Sequence, residues 1–242
     1  MATTKKTTGK KAAAHKPGAR KVGAVSPANA TAGAYKPRKW TWGVHPGVAM
    51  VRKWETELPK KTGRSLAQWI KLVKADGPET TKARIAWLKQ AHKLGTNSAW
   101  WLVERAEGRV GEEGDPKYYV ESAQKYVEQM YEGAKASLRP LFDELMELSL
   151  SIGKDVKACP CQTMVPIYRA NVIATIKPTT RTRIDYGLAL GDTKAPAGGR
   201  LIDTGGFAKK DRITHRIEIA CPSDIDSFVE KWLRVAYERN AK

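Results

Sequence analysis

TTRTRIDYGLAL, residues Thr179 to Leu190, reads at period two. Ile184, Tyr186, Leu188 and Leu190 fall on one face and Arg181, Arg183 and Asp185 on the other, the pattern of a strand packed on one side and wet on the other. The stretch Arg212 to Ile219 repeats the design, with Ile213, His215, Ile217 and Ile219 inward and Arg212, Thr214, Arg216 and Glu218 outward. Working outward, shorter strands are expected at Thr163 to Tyr168, Val172 to Lys177 and Arg200 to Ile202. Their close spacing implies an antiparallel meander. Beyond the last strand, Ser223 is placed to cap a helix whose Ile225, Phe228, Val229, Trp232, Leu233 and Ala236 form a stripe wide enough to cover the apolar face. Upstream, Asp115-Pro116 supplies an N-cap and a first-turn proline for a helix carrying Tyr119, Tyr126, Val127 and Met130. A further helix, from about Leu138 to Ile152, presents Leu141, Phe142, Leu145 and Leu148 and is closed by Gly153.

The texture before residue 108 differs. Seven of the eight tryptophans (40, 42, 54, 69, 87, 100 and 101) lie there, which predicts a small core rich in aromatics. Ser65 and Gln68 have the form of a capping box opening a helix with Leu66, Trp69, Ile70 and Val73 on its apolar side. Gly77-Pro78 ends it. A second helix is expected from Thr81 to Leu94, stopped by Gly95, and a third from Ser98 to Glu107, capped by Thr96 or Asn97. Helix, glycine turn, helix is also the outline of a DNA-reading unit, but the last helix offers Ala99, Trp100, Trp101, Leu102 and Val103 in its first turns. Those side chains call for burial rather than base contacts. His92, with no second ligand one turn away, reads as a surface histidine. The fold class expected is therefore α+β, in four parts. A disordered basic tail spans 1–39, a small Trp-rich helical domain 40–107 and a linker 108–115. An α+β domain follows at 116–242, an antiparallel sheet with helices packed on one face.

Charge is spread unevenly over the 242 residues. Residues 1 to 54 hold nine Lys, three Arg and no acid, so 12 of the net +18 sits there and the remaining 188 residues carry only +6. Lysines such as Lys5, Lys6, Lys10 and Lys11 alternate with Thr, Ala, Gly and Pro without periodicity, a composition that cannot bury enough apolar surface to fold alone. In composition the tail resembles those of linker histones and some bacterial nucleoid proteins. Mobile cations without fixed geometry suit phosphate-backbone binding by counterion release, whereas a solubilising terminus is the plainer alternative. No apolar run approaches the length of a membrane span, and no signal-peptide core is visible. Three cysteines make no disulfide framework, which fits a reducing, cytoplasmic compartment.

Two groups of segments resemble known families. HPGVAMVRKWETELPKKTGRSLAQWIKLVKADG (45 to 77) with IAWLKQAHKLGTNSAWWLVERA (85 to 106) is similar to domain-of-unknown-function family 4287. KDVKACPCQTMVPIYR, IKPTTRTRIDYGLAL, DTGGFAKKDRITHRIEI and IDSFVEKWLRVAYE, in the region from about Tyr118 onward, resemble family 5655. The resemblance implies a bacterial two-domain protein and brings no activity or catalytic residue with it. The tail belongs to neither pattern.

Candidate chemistry follows from the residues themselves. Cys159, Cys161, Cys221 and His215 make a ligand set of a kind that suits zinc, and a Cys159 or Cys161 nucleophile with His215 as base is conceivable. However, Cys-x-Cys is not the usual ligand spacing, His215 lies on an apolar strand face, and small buried thiols are the simpler expectation. Gly198-Gly199 and Gly205-Gly206 lack phosphate-loop spacing. No catalytic residue, cofactor or metal is assigned. The outer sheet face, with Lys177, Arg181, Arg183, Arg200, Lys209, Lys210, Arg212 and Arg216, is the expected anion or nucleic-acid surface; against it stands pairing of those arginines with Asp185 and Glu218. The leading expectation is a non-enzymatic, nucleic-acid-associated protein of the cytoplasm and nucleoid, without membrane contact. The alternative is a module or enzyme for a small anionic ligand in the C-terminal domain.

Overall fold

The computed structural model describes residues 35–109 and 115–241. Residues 1–34, which hold most of the expected tail, and most of the expected linker lie outside them. Four helices come first: α1 (Pro46–Thr62), α2 (Leu66–Asp76), α3 (Thr81–Ala91) and α4 (Thr96–Ala106). After α5 (Pro116–Met130), a 3-10 turn (Gly133–Leu138) leads into α6 (Arg139–Ser151). Six strands follow, β1 (Lys157–Ala158), β2 (Val165–Tyr168), β3 (Val172–Pro178), β4 (Ile184–Leu188), β5 (Leu201–Asp203) and β6 (His215–Ile219), and then α7 (Ser227–Arg239). The protein is α+β, as the period-two and helical patterns predict. No described helix is long and apolar enough to cross a membrane.

Local chemistry explains most boundaries. The Ser65–Gln68 capping box is formed in both directions, satisfying two of the orphan donors at the start of α2. Asp115 caps α5 through Lys117 N. α1 has no counterpart in the sequence reading, because Gly47 and Pro59 interrupt its pattern; His45 caps it by accepting from Gly47 N at 3.0 Å, and Pro46 fills the first turn. α3 stops three residues before the expected Leu94. Lys93 turns the chain with a φ of 56°, and Gly95 is then the N-cap of α4 rather than the stop of α3. His92 is not a surface histidine: its ring meets the edges of Trp69 and Trp87 at 5.1 and 4.7 Å between centroids. At the last helix, Asp226 accepts from Phe228 N and Val229 N, so it, and not Ser223, is the cap.

The sheet runs β1-β2-β3-β4-β6-β5 with every pair antiparallel. It departs from a simple meander at one point, because the chain passes beyond β6 to lay β5 on the edge before returning. Register puts Ile176, Tyr186 and Ile217 in one row, with Ile184 and Ile219 beside them, and these side chains are buried under α5, α6 and α7. Thr175, Gly187 and Arg216 form a row on the opposite face. A Cβ on Gly187 would stand 2.4 Å from Thr175 Oγ1 and 2.7 Å from Ile213 Cγ2. Ile213, expected inward, therefore lies over the outer face. The alternation breaks at Thr214, which is buried and bonds the Leu190 N–H and the His215 ring.

Two clusters of buried side chains result. One gathers Val51, Trp69, Val73, Leu88, Trp101 and Leu102 from the first four helices. The larger one combines the inner sheet face with α5, α6 and α7, and it also takes in Trp42 and Val48, with Trp40 packed against it. Residues 38–45 are thus a strap across the sheet domain. Asp143, on α6 and 1% exposed, accepts from Arg38 N at 3.1 Å and Trp40 Nε1 at 2.6 Å and pairs with buried Arg139. Gln124 accepts from Trp42 Nε1 at 2.9 Å, and Gly43 N bonds the carbonyl of Ala158. Removing one partner of a buried charge pair leaves the other uncompensated. Asp143→Ala is expected to lower the unfolding free energy by about 3–5 kcal/mol in denaturant titration, with Asp143→Asn recovering part of the loss.

Candidate functional site

The sheet's outer face is where basic residues were expected to gather. Asp185 and Glu218 are direct cross-strand partners, an arrangement that repels unless cations intervene. Arg183 reaches Asp185 at 3.0 Å and Glu218 at 2.9 Å, and Arg216 reaches the same two carboxylates at 3.0 and 2.7 Å. Two guanidiniums and two carboxylates therefore form a network with no net charge. Arg200 is engaged as well, by the Asp226 carboxylate at 2.6 Å and by the Asp224 carbonyl, while Arg212 lies against the side-chain oxygens of Asn171 and Asn240. Lys177, Arg181, Lys209 and Lys210 are exposed. They do not form one patch: Ile184 faces Ile219 at the end of β4 beside the β3–β4 turn, and Leu188 faces His215 at the other end. The turn bearing Arg181 and the β5–β6 loop bearing Lys209 and Lys210 thus lie at opposite ends of β6. Lys5, Lys6, Lys10 and Lys11 lie outside the described residues.

The cysteines and His215 are not brought together. Cys159 continues from β1, and His215 sits on β6; in the sheet order three strands separate them, four spacings or about 19 Å. His215 is buried, with Nδ1 2.9 Å from the Thr214 hydroxyl. Cys159 is buried, and burial pushes its thiol up to about 11; burial raises Cys161 too. Both sulfurs lean on main-chain carbonyls, Cys159 on Val44 at 3.6 Å and Cys161 on Cys159 at 3.8 Å. Cys221 is exposed. Among the described residues no group of three or more His, Cys, Asp or Glu is placed to hold a metal ion.

The histidine that does adjoin the Cys-Pro-Cys loop is His45, carried there by the strap. Its Nε2 is 3.0 Å from Tyr168 Oη, and its ring stands edge-on to Tyr168 and 6.1 Å from Tyr119. Nδ1 accepts from Gly47 N, so the proton sits on Nε2 and is donated to Tyr168. Burial, helped by nearby Lys157, lowers the His45 pKa, and burial pushes Tyr168 up to about 12. Tyr119 Oη donates to the Pro160 carbonyl at 2.7 Å, tying the Cys-Pro-Cys loop to α5. His45, Tyr119, Pro160 and Cys161 line a cleft of about 870 Å³. Met50 and Trp54 of α1 and Trp100 and Trp101 of α4 form one wall, and Tyr119 and Tyr126 of α5 with residues 160–163 form the other.

The sequence reading missed this cleft, since its walls come from four segments spread over more than a hundred residues. One local signal was present: adjacent tryptophans on a helix cannot share a buried face. Trp101 is 2% exposed and Trp100 44%, so the expectation that both want burial holds for only one.

The family model described as Domain of unknown function (DUF4287) matches residues 52–108, and that described as Domain of unknown function (DUF5655) matches residues 127–240. No curated protein and no solved structure matches the chain.

Thiol reactivity follows thiolate fraction and access. With limiting iodoacetamide at about pH 7.5, Cys221 is expected to alkylate first and Cys159 last, as read by peptide mass spectrometry. Faster labelling of Cys161 than of Cys221 would contradict the described environment.

Proposed function

We propose that this chain, which joins a member of the DUF4287 family to a member of the DUF5655 family, is a non-enzymatic, nucleic-acid-associated binding protein whose affinity resides in its N-terminal cations. One observation carries the reading: residues 1 to 54 hold twelve Lys and Arg and no acid, while the other 188 residues carry only +6. Flexible phosphate neutralisation needs charge density and reach but no fixed geometry, and each phosphate contacted releases condensed counterions. The partner is the phosphate backbone, contacted without regard to sequence, and the reading places the protein in the cytoplasm with the nucleoid.

The folded body has a smaller part in this reading than its arginine count implies. An incoming phosphate at Arg183 or Arg216 competes with Asp185 and Glu218, each already within 3.0 Å. The same competition weakens the alternative of a small anionic ligand held on the sheet. Lys177 with Arg181 and Lys209 with Lys210 remain as exposed cations at two separate ends of the sheet, able to add to affinity in small increments.

Seven of the twelve cations lie in residues 1–34. Against random-sequence duplex DNA, removing those residues is expected to reduce the slope of log K on log salt by up to about 6, at 0.9 per phosphate. Arg183→Ala with Arg216→Ala is expected to leave the slope unchanged. Equal slopes for the full chain and the shortened one, measured by fluorescence anisotropy across a salt series, would exclude the tail as the binding element.

A further inference from the structure

Nucleic-acid association through the tail leaves the cleft between α1, α4, α5 and the β1–β2 loop without a role. Its surface is unusual for a solvated one. Met50 is 48% exposed and Trp100 44%, and these two large apolar side chains line the same opening. A concave aromatic site of several hundred cubic ångströms suits a small molecule. Deeper in the same wall, Trp54 and Trp101 meet edge to face at 6.5 Å. The Trp101 indole N–H is buried without a hydrogen-bond partner, a donor that costs free energy until an acceptor reaches it.

Charge narrows the class of ligand. Among the described residues two charged side chains line the cleft, Glu104 and Arg109, and they lie 4.0 Å from each other, with Arg109 also bonded to Glu107. Among the described residues no lysine lines it, so phosphate or carboxylate finds no uncommitted cation among them. His45 contributes no charge near neutral pH, since its Nδ1 is an acceptor and burial disfavours the imidazolium. The remaining polar lining includes the amides of Asn97 and Gln162, which offer both donors and acceptors. Burial raises the Cys161 thiol above its ordinary range, and both His45 nitrogens are occupied.

We propose that the cleft binds an uncharged, flat aromatic or heteroaromatic molecule, stacked on Trp100 against Met50, with its polar edge read by the Asn97 and Gln162 amides. Aromatic rings supply sequence-tolerant stacking, and the amides supply orientation. The site is independent of the tail and of nucleic-acid affinity.

The test is calorimetric titration of the full chain with adenine and indole as uncharged probes, and with adenosine monophosphate and benzoate as anionic ones. Adenine or indole is expected to bind with a Kd of roughly 10 μM to 1 mM, the range open to ligands of about ten heavy atoms. The anionic probes are expected to bind more weakly. Trp100→Ala is expected to weaken binding at least about fivefold, with a thermal midpoint close to that of the unaltered chain because the ring is half exposed. Met50→Ala provides a second variant on the same wall, expected to weaken binding in the same direction. Absence of binding by both uncharged probes up to about 5 mM, tighter binding of the anionic probes, or affinity unchanged in both variants would overturn the proposal. Self-association that Trp100→Ala abolishes, with no probe bound, would overturn it too and assign the wall to a second copy of the chain.

Discussion

Asp143 is a carboxylate enclosed in the structure, and three elements depend on it. It accepts from the main chain at Arg38 and from the Trp40 indole, and it lies beside the guanidinium of Arg139 one turn earlier on α6. Burial of an unpaired carboxylate would cost several kcal/mol, so the strap and the helix are each held by the other's requirement. Once the strap is fixed, Trp42 enters the main core and His45 arrives beside Tyr168 and the Cys-Pro-Cys loop. The start of α1 is fixed in turn, because His45 is its cap. The placing of His45 and of α1 at the cleft thus descends from a single buried charge on α6, held to the strap across more than a hundred residues of sequence.

A second electrostatic constraint governs the sheet. Its inner face is apolar except for His215 and pairs Ile, Tyr and Leu across strands, so register is strongly specified. That register forces Asp185 opposite Glu218 on the outer face. Arg183 and Arg216 answer this repulsion, and in doing so they lose the freedom to bind an outside anion. Arginines that look like a recognition surface when read along one strand become a neutral lattice when two strands are set side by side. Net positive charge is therefore concentrated in an N-terminal segment with no acids, and a cleft lined largely by uncharged rings lies within the folded body.

Much of the fold was legible. Ile184, Tyr186 and Leu188 alternate because a sheet packed on one face requires it, and the stripe from Val229 to Ala236 matches the helix that covers them. Ser65–Gln68 announced its own capping box. Failures came where a local signal had two physical solutions. Gly95 can end one helix or cap the next, and Lys93, which carries no such signal, took the turn. Ile213 fits the alternation yet sits outside it, since buried Thr214 satisfies the Leu190 N–H. α1 went unread because Gly47 and Pro59 argue against a helix that a histidine cap and tertiary packing nevertheless support.

The sequence by itself determined the α+β class, the covered sheet face, the acid-free N-terminal segment and most helix limits, since each depends on periodicity or on chemistry within a few residues. Only tertiary structure decided which groups meet. It paired Arg183 and Arg216 with carboxylates on a neighbouring strand, set His215 some four strand spacings from Cys159, and brought His45 to the Cys-Pro-Cys loop. Periodicity is a property of neighbours along the chain, whereas a site is made by residues whose separation in space depends on strand order and on the burial of one distant charge.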